Sequence, residues 1–213
     1  RNIGLPPPVS GCAASALSQT ADDDHKQRWL PEIASGGLIA CLAVTEHAPM
    51  WSEDDVQTVA SSSPAGGHVL NGEKRFVIDA QVAGLILVAA RNGENQIGLY
   101  AVEADARGLT RKAMPSMDPT RKLNQLILAA TPAEHLGPVD LQDLMDYTLV
   151  ALANEMIGGA QTLLQSALDY TQLRVQFGRS IASFQAIKHR LAELLLEVEL
   201  AKSAAYQLSL IHI

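Results

Sequence analysis

The sequence holds only two cysteines, Cys12 and Cys41, and neither falls in a spacing that metal sites use. Its six histidines are scattered, with no His-x-His and no His-Glu-x-x-His pair. Reduced, structural thiols and no metal are therefore expected. Positive charge is sparse as well: 16 Lys and Arg stand against 23 Asp and Glu, and the net charge is −7 with no basic cluster. Binding to nucleic acid neutralises phosphates with a patch of Lys and Arg, so this balance argues against that class of partner. No apolar run reaches the roughly eighteen residues of a membrane helix. The N-terminus also lacks the charged-then-apolar pattern of a secretory signal, and a cytoplasmic protein without a membrane partner is expected. Internal repeats and low-complexity linkers are missing; the small-residue run Ser61 to Gly67 is short enough to be a loop between strands. What is present is a 47% apolar chain of 213 residues, able to bury one sizeable core or two modest ones. The expected ligand is a small molecule.

Along the chain, hydrophobic patterning changes twice. Arg1 to Ser10 is Pro-rich, and Asp22-Asp23-Asp24 supplies carboxylates for the start of a helix expected to end before Pro31. A start this abrupt suggests missing upstream sequence. From Leu38 to Thr131 short β-branched runs follow one another: Leu38 to Thr45, Val56 to Ser62, His68 to Leu70, Arg75 to Ile78, Leu85 to Ala90, Ile97 to Val102 and Gln125 to Ala129. Asn71-Gly72 carries the strongest local hairpin signal, since both residues accept the positive φ of a tight turn; Asn92-Gly93 marks a second turn. Leu141 to Tyr170 and Ile181 to Leu208 are long helical runs, apolar on more than one face, and two antiparallel helices joined at Gly178 are predicted.

The stretch Arg174-Val175-Gln176-Phe177-Gly178, followed by Phe184-Gln185, sits where these two runs meet. Arg174 and Gln185 are eleven residues apart, and across a Gly-containing turn a guanidinium and a carboxamide can converge on a phosphate-bearing ligand. The alternative is a helix C-cap at Gly178 with a solvated arginine and a packed phenylalanine. The spacing Arg-x-x-Phe-Gly, a short link, then Phe-Gln resembles the acyl-CoA dehydrogenase family. Further segments share that resemblance: Lys26 to Pro31 with Ala34-Ser35-Gly36, Leu42-Ala43-Val44-Thr45-Glu46, and Leu70-Asn71-Gly72-Glu73-Lys74-Arg75-Phe76-Val77-Ile78.

The resemblance implies an α+β fold: residues 1–37 as the end of an N-terminal helical domain, 38–139 as a central antiparallel β-barrel or sandwich domain, and 140–208 as the first two helices of a C-terminal helical bundle. Residues 209–213 depart from the family and are expected to be a non-native tail. It further implies FAD, with Val44, Thr45, Phe76 and Ile78 beside the flavin ring, and Arg174, Phe177 and Gln185 on its pyrophosphate and adenine side across a subunit interface. Ser52 would meet the CoA portion of the substrate. The implied reaction is α,β-desaturation of an acyl-CoA thioester, with the β-hydrogen leaving as hydride to flavin N5. Electrons would pass to an electron-transfer flavoprotein, and the assembly would be a homo- or hetero-oligomer, a dimer or tetramer.

Such chemistry needs a carboxylate base whose pKa is raised by desolvation. In most members the base lies in a distal helix beyond this chain; in a second type it stands 26 residues before the motif arginine, which here is Thr148. Glu155 is the carboxylate alternative, in an apolar setting that would raise its pKa, but seven residues along a helix is roughly 10 Å from Thr148. A structural or interface hydrogen bond is the competing role for Glu155. Departures from the family pattern accumulate at the site. The glycine-rich loop is replaced by His47-Ala48-Pro49-Met50-Trp51-Ser52, Ile78 stands where a threonine is common, and Leu149 where an arginine is common. These support one alternative, a non-catalytic subunit that completes the FAD site of a paralogue; a relative with other flavin chemistry is a further alternative, because such relatives share the fold. Asp118-Pro119-Thr120-Arg121 is either a family loop or a surface turn capped by Asp118.

Overall fold

The computed structural model describes residues 8–47, 52–64, 66–118 and 120–211. The chain divides into two compact units, Arg1–Tyr147 and Thr148–Ile213.

The first unit is a sheet covered by two helices. Helix α1 (Pro8–Thr20) buries Ala13, Ala16 and Leu17, the i, i+3, i+4 spacing of a single helix face. Helix α2 (Asp23–Ser35) opens at Asp22, whose carboxylate accepts the His25 N–H at 2.9 Å, and closes at Gly36 in the left-handed conformation. This helix does not stop before Pro31 as expected; the proline lies inside it. An internal proline costs about 3 kcal/mol. Here it is exposed, while Trp29 and Ile33 on either side are buried and hold the turn in place.

Seven strands follow: β1 (Ala40–Ala43), β2 (Val59–Ser62), β3 (His68–Ile78), β4 (Leu85–Arg91), β5 (Ile97–Glu103), β6 (Leu109–Ala113) and β7 (Leu123–Pro138). Strands β4, β2, β3, β7 and β5 form a closed ring, because β5 pairs back onto β4; β1 adds to β4 and β6 to β7. Most pairings are antiparallel, but β1 and β2 run parallel to β4. The alternation of β4 separates two cores. Leu85, Leu87 and Ala89 join α1 and α2, whereas Ile86, Val88 and Ala90 join Leu70, Tyr100, Leu126 and Leu128 on the other face. Cys41 is buried in the second core, and that burial pushes its thiol up to about 12.

Two turn expectations fare differently. Asn92 does begin the β4–β5 turn, its side chain accepting the N–H groups of Glu94 and Gln96. Asn71-Gly72, in contrast, is no hairpin: β3 runs unbroken through it, and the connection from β2 to β3 is closed by Ser63 N–H to the Gly67 carbonyl. Gly72 marks a shift of register against β7 and has φ 153°. A Cβ there would lie 2.6 Å from the Thr58 hydroxyl oxygen, so glycine is needed for close approach of two segments rather than for a turn. Strand β6 falls outside the strand runs predicted above, because Leu109–Ala113 is mostly polar and pairs with β7 alone.

The second unit contains most of helix α3 (Leu141–Leu173), a two-stranded hairpin, and α4 (Gln185–Ile211). The start of α3, through Tyr147, belongs to the first unit, where Leu141 and Leu144 are buried. The helix link is not a simple cap at Gly178. Strands β8 (Val175–Gln176) and β9 (Arg179–Ser180) pair antiparallel, with Phe177 at φ 54° and Gly178 at φ 74° between them. Positive φ at both central residues is the turn whose twist matches that of its flanking strands. Helix α4 continues through residues 209–211.

Candidate functional site

Three segments of the first unit converge where β1 ends. Beyond Ala43 the chain leaves the sheet at Val44 and Thr45, and β3 runs beside it: Arg75 N–H donates to the Thr45 carbonyl at 2.8 Å. Val44 is buried, Thr45 and Ile78 are half-buried, and Phe76 is 45% exposed. Phe76 also has φ 56°, inside a second register shift between Lys74 and Val77. A non-glycine residue at positive φ stores of order 1–3 kcal/mol, and such strain concentrates at functional sites. The four residues Val44, Thr45, Phe76 and Ile78 are thus brought onto two adjacent segments. Ser52 is exposed at the start of a 3₁₀ turn (Glu53–Asp55), and its hydroxyl makes no capping bond. The loop substitutions at positions 48–51 lie outside the described residues.

Beneath this surface is a buried ion pair that the sequence reading did not single out. Lys74 is fully buried and its Nζ lies 2.6 Å from Glu46 Oε1, itself only 4% exposed. Lys74 Nζ also donates to the Val44 carbonyl at 3.0 Å. Glu46 accepts from Thr58 N–H at 3.0 Å, Thr58 O–H at 2.7 Å and Gln57 N–H at 2.9 Å. Burial pulls the Lys74 ammonium down to about 8 against the opposing pull of Glu46. For Glu46, burial pushes the carboxyl up, but the Lys74 charge and the Thr58 donors outweigh it and the net direction is downward. The available signal was a lysine and a glutamate inside otherwise apolar strand segments, but their separation of 28 residues gave no register to join them.

The lowered carboxyl makes a pH prediction. A carboxylate whose folded pKa lies below its unfolded value of 4.5 adds stability that is complete above that value. That contribution is lost as pH falls through the lowered folded value. Urea midpoints measured from pH 7 down to 3 should therefore fall more steeply for the natural protein than for Glu46→Gln. Parallel curves for the two would remove Glu46 from this role.

In the second unit, Arg174 follows the last turn of α3, with its N–H on the Tyr170 carbonyl, and its own carbonyl accepts the Ile181 N–H at 2.9 Å. That bond closes the hairpin and sets Arg174 opposite Ile181, four residues before Gln185. Ser180 Oγ donates to the Thr171 carbonyl at 2.8 Å and anchors the hairpin to α3. Phe177 at the tip is 91% exposed, edge-on to Phe184 at 6.1 Å, and the Arg179 guanidinium lies 4.3 Å over the Phe184 ring. Arg174 and Gln185 are exposed, and among the described residues Arg174 has no carboxylate partner. An exposed guanidinium without a carboxylate partner, on a hairpin whose tip carries an exposed phenyl ring, suits a phosphate-bearing ligand with a planar group. Glu155 is half-buried on α3, and His189 is exposed on α4. Asp118 accepts both the N–H and the hydroxyl of Thr120, at 2.8 and 2.6 Å, which is the capped surface turn. Among the described residues no cluster of His, Cys, Asp or Glu could hold a metal ion.

The family profile described as "Acyl-CoA dehydrogenase, C-terminal domain" matches residues 140–210. A probable acyl-CoA dehydrogenase of Bacillus subtilis, YngJ, is 31% identical over 204 residues, covering 89% of this chain and 53% of the relative. Among solved structures, a glutaryl-CoA dehydrogenase from Mycobacterium smegmatis superposes with a TM-score of 0.77 at 27% identity, covering 94% of this chain and 54% of the other. Butyryl-CoA dehydrogenase from Megasphaera elsdenii gives 0.77 at 25% identity, covering 92% and 55%. The chain spans about half the length of the relatives it matches. Profile, relatives and superpositions agree with the arrangement of strands and helices described above, and the chain belongs to the acyl-CoA dehydrogenase family.

Proposed function

We propose that this chain forms part of an FAD-dependent acyl-CoA dehydrogenase that desaturates an acyl-CoA thioester between its α and β carbons. The observation that carries the reading is the exposed, tightly closed hairpin between α3 and α4, with Arg174 at its base, Phe177 at its tip and Gln185 at the start of the helix that follows. FAD, when bound, supplies the hydride acceptor. Arg174 and Gln185 would hold its pyrophosphate and adenine side, with Phe177 against a planar face, across an interface with another subunit. Val44, Thr45, Phe76 and Ile78 would flank the flavin ring, where exposed Phe76 offers an apolar face. Ser52 would contact the CoA portion. The catalytic base is assigned to a part of the protein outside these residues. Thr148 carries no group that can act as a base, and Glu155 is retained only as a weaker alternative. Electrons would leave to an electron-transfer flavoprotein, and the working assembly would be an oligomer in the cytoplasm.

A second reading, a non-catalytic subunit that completes the flavin site of a paralogue, draws support from Ile78 and Leu149, which replace a hydroxyl and a guanidinium common at those places. Anaerobic bleaching of flavin separates the two. The protein expressed from its natural gene, loaded with FAD, should lose its oxidised flavin band with one class of acyl-CoA thioester. Flavin that no thioester bleaches would overturn desaturation and favour the partner subunit. Arg174→Ala should weaken flavin retention by about 1.5–3 kcal/mol, the worth of a charge-assisted hydrogen bond, or on the order of 10- to 150-fold in dissociation constant. Equilibrium dialysis of flavin from the two proteins is the check, and equal affinity would remove Arg174 from the site.

A further inference from the structure

Glu46 and Lys74 together touch two segments that the proposed function assigns to different ligands. Lys74 Nζ bonds the Val44 carbonyl, at the strand end placed beside the flavin ring. Glu46 Oε1 and Oε2 bond Thr58 and Gln57, at the far end of the segment that begins with substrate-facing Ser52. The same segment has a second anchor in Arg91 on β4. Its Nε donates to the Val56 carbonyl at 2.8 Å, its guanidinium also reaches the Glu53 carbonyl, and its backbone N–H meets the Thr58 carbonyl at 2.8 Å. Residues 53–58 are therefore tied at both ends by charged side chains, although the preceding loop lacks the family's glycines.

A buried ion pair is a poor device for stability alone, because desolvation cancels much of its attraction and apolar residues can fill the same space. Lys74 stands in register with Leu126, in a core where an apolar residue would pack without cost in charge. No apolar pair, however, could satisfy the Val44 carbonyl and the N–H groups of Gln57 and Thr58 at once. The demand met by charge here is one of position.

We propose that Glu46 and Lys74 are positioning residues that set the spacing between the Val44–Thr45 strand end and the Ser52–Thr58 segment, and so between flavin ring and thioester. The inference rests on the flavin and thioester assignments above. A misplacement of about 1 Å at a reacting centre can cost on the order of 100-fold in rate, so the loss of this tie should be visible in chemistry as well as in folding.

The decisive protein is the double variant Lys74→Met/Glu46→Gln, which leaves no uncompensated charge, compared with the natural protein after both are loaded with FAD. Circular dichroism and flavin stoichiometry establish that each is folded and occupied. Two quantities are then read: the reduction potential of the bound flavin and the single-turnover rate of its bleaching by a thioester. The expected result is a shifted potential and a bleaching rate at least tenfold slower. A folded, loaded double variant with the natural potential and a rate within about twofold would show the pair to be structural only. Should the double variant fail to fold, Thr58→Val removes one hydroxyl bond to Glu46 with little change of shape. It should slow bleaching by roughly three- to tenfold, the kinetic equivalent of one net hydrogen bond, and an unchanged rate would overturn the proposal. If the natural protein binds FAD but no thioester bleaches it, desaturation fails as its function. The flavin potentials of natural and variant protein still decide the positioning role.

Discussion

Lys74→Met should destabilise the first unit by about 3–5 kcal/mol, the cost of leaving a buried carboxylate without its counter-charge. Methionine fills nearly the same volume, so little of that loss would come from a cavity. It would come from Glu46, 4% exposed, retaining three backbone and hydroxyl donors but no cation, and from the Val44 carbonyl, which loses its Nζ donor. Urea unfolding followed by circular dichroism measures it, and a cost below about 1 kcal/mol would mean that the pair is not coupled as the geometry indicates. The cycle completed with Glu46→Gln and the double variant isolates the interaction. The double variant should recover most of the stability lost by Lys74→Met, because the unpaired charge is what hurts. Stability and flavin chemistry should then separate, since recovery of the fold does not restore the tie between strand end and loop.

Gly72→Ala should be comparably harmful, at about 2–5 kcal/mol. Two costs combine: an alanine held at φ 153°, and a new methyl 2.8 Å from Thr58 Cα and 2.6 Å from its hydroxyl oxygen. Thr58 is fully buried and bonded to Glu46, so it has no room to retreat without breaking that bond. Gly93→Ala is the control, because a Cβ there meets nothing within 4 Å. Thermal or urea unfolding of the two variants should separate them by several kcal/mol. Equal stabilities would mean that β3 and the Thr58 segment do not approach as closely as described. The substitution also disturbs the ion-pair site from behind, and weaker flavin retention should accompany the lost stability.

Local patterning carried the reading a long way where one element's own residues decide its fate. The two long helices were visible because their apolar residues recur over many turns, and the start of α2 because the run Asp22-Asp23-Asp24 supplies carboxylates suited to a helix N-terminus. Strand β4 was visible because Leu85 to Ala90 is continuously apolar, as a strand buried on both faces must be. The same local logic failed at Asn71-Gly72. Two residues that accept positive φ make an effective hairpin turn, and they serve equally well as a bulge where another segment crosses. Pro31 failed in the opposite sense: local chemistry says stop, and the burial of Trp29 and Ile33 overrides it.

The candidate site divides along the same line. Arg174, Phe177, Gly178, Phe184 and Gln185 fall within twelve consecutive residues, so their types and spacing were enough to pick them out, and the structure adds the hairpin that joins them. Glu46, Thr58, Lys74 and Arg91 are spread over 46 residues and share no motif, and only the closure of the sheet brings them into hydrogen-bonding range.

From periodicity came the α+β order of the chain, and from its motifs the resemblance to its family, because each rests on residues near in sequence or on types counted along it. The mixed pairing of the ring, the strained Phe76, the crossing at Gly72 and the buried Glu46–Lys74 pair were settled by tertiary structure. They depend on which strands meet and in what register, and that choice is made by the burial of two whole sheet faces rather than by any one segment.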